Sequence, residues 1–520
     1  MEGVLSCQQK GASMDDYSVD LVVMRLPGLH VHASSVTRHD GVLYFLVEKD
    51  DGQRQLAVTT PAGSPVLAGF EGVPSVFDEQ TLLLCPLSAE NAAALRKRLA
   101  WLLPAVQGLR TTVGLGDRLG LATPGHLRAV REAGGHLVPL PAQQSIREMS
   151  RTGRTPQQVM DDAMWGVFAE GWRSGFGADA DHLKTPQDID RCVATGYTFY
   201  TFDPGEYVES GADNASPQAL RTRWDELPWE QLEDSPAALA ARYLSTPVRC
   251  EEHIIRFDEL TLMRAAVKYG RAIAYVALLY RHLAQAATGR EWEVEISVDE
   301  TETPTTSAEH VYIATELRRL GVRWVSLAPR YIGRFEKGVD YIGDVNAFEA
   351  EMGVHAAIAR TLGPYKLSLH SGSDKFSVYE PTARQTRGLV HLKTAGTSYL
   401  EALRTIAVLE PDLLRSIYVF AREHYEVDRA SYHVSALWER APAPNALTDA
   451  DLPGLLEQFD AREILHVTFG SVLTARSADG QTLFYDRLME VLRTHPEAYA
   501  ADLVVHFLRH LRPFVIWGDR

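Results

Sequence analysis

Ionisable side chains in this chain recur directly after short apolar runs. The stretch Asp179-Ala180-Asp181-His182-Leu183-Lys184 places two carboxylates, an imidazole and an ammonium together where GFGADADHL ends. Asp299, Glu300 and Glu302 stand where WEVEISVDE stops, and Arg330 ends VRWVSLAPR, with Arg334 and Lys337 close behind. His370, Asp374 and Lys375 follow YKLSL, and His391 and Lys393 lie in LVHLKTAG. Three imidazoles beside carboxylates suit the open coordination shell of a catalytic Zn, Mn, Co or Ni ion. A carboxylate outside that shell could move protons. Lys184, Arg330, Lys375 and Lys393 are natural anchors for a substrate's carboxylate or hydroxyls, Arg being the better two-pronged partner.

Each group alone has a structural reading. A single His at a strand end is commonly hydrogen-bonded scaffolding, and DETETP reads as a helix start, with Pro304 and acidic residues placed for the helix dipole. A neutral His also needs an acceptor to fix its tautomer, and Asp181 or Asp374 could serve there instead of acting directly. The joint placement is what points to a divalent metal site.

Stepping from these groups to the segments that carry them gives eight strand candidates: 112–119, 136–143, 175–183, 197–205, 292–300, 322–330, 365–374 and 389–396. Most are followed by helical spacing, the pattern of β/α units around a parallel sheet. In a (β/α)8 TIM-type barrel, side chains at the C-terminal strand ends converge on one mouth, so five strands would deliver ionisable groups to one place. EILHVTFGS (463–471) is a ninth candidate, which keeps an open α/β sheet in view. Residues 1–80 read as a small β-rich N-terminal module, from SVDLVVMRL, GVLYFLVEK and RQLAVTT, and 81–520 as the barrel. The stretch 206–291 is far longer than a βα loop and reads as a helical insertion.

His466 reads equally as core or site, His355 as structural, and His424 and His433 as residues of a late helix or loop. GLGDRLG at 114–120 is not GxGxxG and has no P-loop Lys-Ser/Thr after it, so no nucleotide is expected.

The 520 residues carry 52 basic and 68 acidic side chains, a net charge of -16 that would repel a nucleic-acid backbone. With 45% hydrophobic and 23% charged residues the composition is that of an ordinary globular protein. Cys7, Cys85, Cys192 and Cys250 are far apart and expected to be reduced. The N-terminus does not resemble a signal peptide and no long apolar run occurs, so a cytoplasmic enzyme without membrane or nucleic-acid partners is expected. A homo-oligomer is compatible with the sequence.

The segments EGWRSGFGADADHLKT, FDPGEYV, ISVDETETPTT, LHSGSDKFSVYEPTA and HLKTAGTSYLEALR together resemble the tagaturonate/fructuronate epimerase family, over residues 112–475. The resemblance implies a divalent-metal isomerase that inverts one hydroxyl-bearing carbon of a keto-sugar acid. It implies His182, His370 and His391 as metal ligands, Asp181 as proton acceptor and Glu300 as proton donor. Neutral ketohexoses, fructose and tagatose, are the alternative substrate pair. Because the inverted carbon is β to the ketone, its C–H is not activated, and retro-aldol cleavage followed by re-addition is the expected route; the competing route, transient oxidation, requires a tightly bound nicotinamide, for which no dinucleotide fingerprint is present. A class II-type aldolase is the rival enzyme, and a non-catalytic sugar-acid binding protein the rival of another class.

Overall fold

The computed structural model describes residues 26, 28–50, 52–61, 63–77 and 80–516. Cys7 and nearly all of SVDLVVMRL lie outside the described residues. The chain divides into two compact units, one reaching to Ala100 with Phe168–Gly171, the other Trp101–Val167 with Trp172 onward.

In the first unit an antiparallel sheet runs in the order His30–Val31, Val42–Glu48, Arg54–Pro61, Gln80–Cys85, Val73–Phe77, with Thr37–His39 also on Val42–Glu48. Leu43, Phe45 and Val47 alternate onto one face and pack with Ala57 and Leu82. Gln80–Cys85 pairs antiparallel with Arg54–Pro61, and the helix Ala89–Arg98 follows, capped by the Ser88 hydroxyl on the Asn91 N–H. The unit therefore extends to residue 100, past the boundary expected at 80.

The second unit is built on parallel strands: β1 Thr112–Gly114, β2 in two segments Val138–Leu140 and Ala142–Ser145, β3 Ala178–Leu183, β4 Phe199–Phe202, β5 Glu293–Ser297, β6 Ser326–Ala328, β7 Lys366–Leu369 and β8 Val390–Lys393. Neighbours pair in sequence order, and β8 pairs with β1. The first half of β2 pairs with β1 and the second half with β3, so the ring closes through a strand interrupted at Pro141, which has no N–H to give. Seven of the expected strands contain one of these eight, and the expected 136–143 overlaps β2, which runs on to Ser145. The ninth candidate is helical, Phe459–Val467 and Phe469–Thr474, begun by Gln458 accepting the Ala461 N–H.

Residues 206–291 hold the helices Pro217–Asp225 and Pro236–Leu244, the hairpin Val248–Cys250/His253–Ile255 and the helix Glu259–Ala286. That last helix packs between Pro186–Thr195 and Ser307–Arg319, the helices that follow β3 and β5, so it is the barrel's own fourth helix and the insertion ends before it. Beyond β8 further helices end in Pro496–Val515, which packs on Thr123–Ala133, Phe376–Thr386 and Thr397–Leu409. Among the described residues no helix is long and apolar enough to cross a membrane.

The barrel interior is polar, where such barrels are more often filled by branched aliphatic side chains. At its floor Glu293 accepts the backbone N–H groups of Gln107 at 3.0 Å and Gly108 at 2.7 Å. Lys366 donates to the Thr112 hydroxyl at 3.1 Å and lies over the Phe199 ring. Above them the Lys393 ammonium reaches Asp181 at 2.6 Å, Glu295 at 2.9 Å, Asp179 at 3.0 Å and the Thr201 hydroxyl at 2.7 Å. All three carboxylates are buried, so removing the cation leaves charges with no solvent to take its place. Lys393→Met is expected to lower the unfolding free energy by about 3–5 kcal/mol, read from the shift of the urea midpoint. A loss under about 1 kcal/mol, the size of an exposed pair, would show that the carboxylates do not depend on Lys393.

Candidate active site

The pairing of β3 with β4 shifts register between Ala180 and Leu183, and His182 inside that irregularity takes a left-handed backbone, φ 50°. A bulge re-aims a side chain, and a non-glycine residue held in this region marks a place where surrounding contacts overrule the local preference. The result points His182 into the mouth. Its Nδ1 lies 2.7 Å from Asp181 Oδ1, which leaves Nε2 buried without a hydrogen-bond partner and 4.0 Å from Asp299 Oδ1. His370, at the end of β7, has Nε2 at 2.6 Å from Glu295 and Nδ1 at 2.9 Å from Asp299, and its ring centre is 4.9 Å from that of His182. Asp299 also accepts the Ser297 hydroxyl at 2.5 Å.

Nitrogen and oxygen atoms of His182, Asp299 and His370 all lie within 4.8 Å of one another, and the same holds for His182, Asp203 and Glu300. Two imidazoles and a carboxylate are a donor set for a borderline divalent cation, and the partnerless Nε2 of His182 is the atom that such an ion would satisfy. Charge agrees. Burial works against the His182 cation, yet Asp181, Glu300 and Asp203 outweigh it and push its pKa up to about 10. Burial likewise opposes the ionised form of Asp299, but the imidazoles of His370 and His182 hold its carboxyl well below the usual range. A pocket that keeps a histidine charged at neutral pH is short of positive charge.

A cavity of about 320 Å³ opens beside this cluster, lined by Asp299, Glu300, His370 and by Arg147, Arg330 and Lys337. A smaller space of about 40 Å³ adjoins it, sharing Arg147, Lys337, Ser371 and Tyr432 and reaching down to Asp181, His182 and Lys393. Glu300 pairs with Arg147 at 2.9 Å. Asp203, at the end of β4, accepts the Gly205 N–H at 2.9 Å through one oxygen, while its other oxygen is buried with no hydrogen bond.

The residues expected from sequence thus separate. Asp181, His182, Glu300 and His370 meet at the mouth. Arg330 lines the cavity, and Lys184 stands at the rim, 3.3 Å from Glu206 and 3.7 Å from Asp203. His391 does not join the other imidazoles. It lies two residues before Lys393 on β8, hence one layer deeper, with Nδ1 at 2.8 Å from the Thr112 hydroxyl and Nε2 at 3.5 Å from Asp179, and burial lowers its pKa. Asp299 takes the third place that His391 was expected to fill. Asp181, expected as proton acceptor, is occupied by Lys393 and His182 on one oxygen and by the Gln143 amide at 3.0 Å on the other. Burial opposes its charge, but His182 and Lys393 hold its pKa well below the usual range.

Asp374 and Lys375 face away from the cavity. Asp374 meets His506 at 2.5 Å and Arg462 at 3.0 Å, and its backbone N–H donates to His510 at 2.9 Å. Lys375 donates to the carbonyls of Glu336 at 2.7 Å, Val339 at 2.5 Å and Ser373 at 2.9 Å. Both tie loops together. Asp203, Arg147 and Tyr432 also stand at the site: Asp203 follows an apolar strand in YTFYTFDPG and obeys the strand-end rule, whereas the other two come from a helix and a late loop that carry no such signal.

A parallel barrel with imidazoles and carboxylates gathered at its C-terminal mouth has the make-up of a barrel enzyme. Comparison with known proteins identifies its kind. A family model described as tagaturonate epimerase matches residues 32–514. A tagaturonate/fructuronate epimerase from Thermotoga maritima is 41% identical over 489 residues, 93% of this chain and 96% of the relative. Native and glycerol-complexed crystal structures of fructuronate-tagaturonate epimerase from Cohnella laeviribosi match with a TM-score of 0.88 and 38% identity, over 96% of this chain and 99% of theirs. The chain belongs to the tagaturonate epimerase family and is an isomerase. The match begins in the antiparallel unit and runs into the last helix, well beyond the segments that first carried the resemblance.

In chelator-treated protein, histidine NMR is expected to find His182 titrating near pH 10, where the ordinary value is 6.5. Since the folded value is raised, the stability that this charge contributes is fully present below the unfolded value and is lost as pH rises toward 10. Asp181→Asn should bring the titration down; a His182 that titrates at its ordinary value in both proteins would refute this electrostatic picture.

Proposed function

We propose that the chain interconverts D-tagaturonate and D-fructuronate by inverting the hydroxyl-bearing carbon β to the ketone, with a divalent cation, Zn, Mn, Co or Ni, held by His182, Asp299 and His370. The observation that carries the metal is the buried, partnerless His182 Nε2 facing Asp299 and His370. The substrate pair rests on the relatives' activity.

A bound cation would act as a Lewis acid on the ketone oxygen and offset the negative charge that builds there. The remaining work falls to this chain's side chains. Asp181 and Glu295 fix the orientation of His182 and His370, each accepting from one ring nitrogen so that the other faces the mouth. Glu300 and Asp203, which flank His182, are the two carboxyls placed to exchange a proton with the substrate hydroxyl. One takes the proton from the hydroxyl of the inverting carbon. The bond from that carbon to the carbon beside the ketone breaks, its electron pair staying with the ketol fragment, and the inverting carbon becomes an aldehyde. The aldehyde turns its other face, the bond re-forms, and the new alkoxide takes a proton from the second carboxyl. In the reverse direction the two carboxyls exchange roles. Arg330 is the anchor for the substrate carboxylate, since it lines the cavity and its Nε is buried without a partner.

Two measurements test this. Incubation with tagaturonate, followed by NMR, should give fructuronate; absence of exchange at any added metal overturns the reaction. Metal analysis of purified protein should find the ion lost from His182→Ala and His370→Ala, kept in His391→Phe, and bound about 10–100-fold more weakly in Asp181→Asn. Retention of metal in the first two variants overturns the ligand set.

A further inference from the structure

The cavity carries charges of both signs: Asp299, Glu300 and Glu336 line it, and the loop after β6 brings Arg330, Arg334 and Lys337, with Arg147 beside them. Arg147 pairs with Glu300 at 2.9 Å and Arg334 with Glu336 at 3.4 Å, so both are already neutralised. Lys337 and Arg330 are different: among the described residues neither has a carboxylate oxygen within 4.0 Å. The Lys337 ammonium makes one side-chain hydrogen bond, 2.6 Å to the hydroxyl of Ser371, the residue next to His370. It lines both the large cavity and the small space beneath it.

The loop that carries Lys337 is held with unusual firmness. Buried Lys375 binds the carbonyls on either side of it, at Glu336 and Val339, and buried Arg462 donates through Nε to the carbonyl of Gly338 at 2.5 Å. Gly338 takes a positive φ of 77°, and a side chain there would meet the His466 ring at 3.0 Å. Two buried cations on the carbonyls of Glu336, Gly338 and Val339 fix the backbone so that one further cation, without a counter-ion among the described residues, lines the cavity. Such a cation in a half-buried place is costly unless an anion joins it.

We infer that Lys337 is a specificity-determining residue that binds the carboxylate of the substrate, together with Arg330, so that the mouth selects keto-sugar acids over neutral ketoses of the same length. The inference rests on the function proposed above for the identity of the substrate but not for the presence of an anion-binding end. It also gives the cleavage route a needed restraint: the aldehyde fragment carries the carboxylate, and an anchored carboxylate lets that fragment rotate without leaving. Lys375, expected from sequence to touch substrate, becomes a positioning residue that acts through Lys337.

The test compares the wild type with Lys337→Met and Lys337→Arg, reading KM and kcat for tagaturonate and, by calorimetry, binding of D-glucarate, a six-carbon sugar diacid with no ketone to react. Lys337→Met should raise KM and weaken glucarate binding by about 10–100-fold, the effect of losing a charge-assisted hydrogen bond, while Lys337→Arg restores most of both. A Lys337→Met protein whose KM and glucarate binding match the wild type overturns the inference, as does one that loses kcat at unchanged KM. Failure of Lys337→Arg to recover either quantity overturns it too, since that is the result of a merely structural lysine. Should the wild type bind glucarate through Lys337 yet leave tagaturonate unchanged, the reaction assigned above fails and the anion site stands. A wild type that neither binds glucarate nor turns over tagaturonate refutes both.

Discussion

The Lys393 ammonium is the interaction around which the barrel interior is arranged. It lies within 3.0 Å of carboxylates from three side chains, Asp179 and Asp181 on β3 and Glu295 on β5, and it reaches β4 through Thr201. A buried carboxylate is expensive unless paired, and here three share one cation. The remaining charge is drawn upward. Asp181 and Glu295 each share the oxygen that meets Lys393 with an imidazole, His182 in one case and His370 in the other. The orientation of the two mouth histidines is thus set by a cation two positions beyond the buried His391. At the floor Glu293 is satisfied by backbone N–H groups and Lys366 by Thr112, whose hydroxyl also meets His391 and so links the floor to the layer above.

This arrangement explains why local strain collects at the strand ends. His182, Ser371 and Asp374 all hold left-handed backbones with φ of 50°, 47° and 63°. Such residues persist only where surrounding contacts overrule the local preference. Each of the three is secured by charge: His182 through Asp181, Ser371 by the Lys337 ammonium, and Asp374 by Arg462 and His506. The last helix, Pro496–Val515, therefore contributes to the mouth without touching it, because its His506 and His510 hold the turn that follows His370.

The strands were legible in the sequence because apolar runs of the right length end in polar clusters, and that signal depends only on burial and chain direction. Depth within the barrel was not legible. Periodicity of two says which face His391 and Lys393 share but not that the first lies a layer below the mouth, so an imidazole was expected where Asp299 stands. Asp374 and Lys375 followed the strand-end rule yet turn away, because their partners, Arg462, His506 and the carbonyls of 336 and 339, come from segments that no local pattern connects to β7. EILHVTFGS illustrates the ambiguity of short apolar runs: its spacing suits a strand or a buried helix, and packing against Pro411–Asp428 decides for the helix. Residues 206–291 read as one insertion because the barrel's fourth helix has no strand immediately before it to announce its place.

An overall charge of -16 would by itself oppose an acidic substrate. The local field governs instead, because exposed charges are screened within about 10 Å at ordinary ionic strength. Asp299 and Glu300 stand with His182 and His370, and the excess of acid there is what a divalent cation would balance. Lys337 and Arg330 line the same cavity, with no carboxylate of their own among the described residues. In the proposed reaction a molecule that chelates through its ketol and carries a carboxylate would engage both sets of groups, whereas a neutral ketose would engage only the first. In the proposed cleavage and re-addition, a substrate held by its ketol and by its carboxylate has the breaking bond between the two anchors, so each fragment would stay held while the aldehyde turns. A site with a single anchor would release one fragment and behave as a lyase.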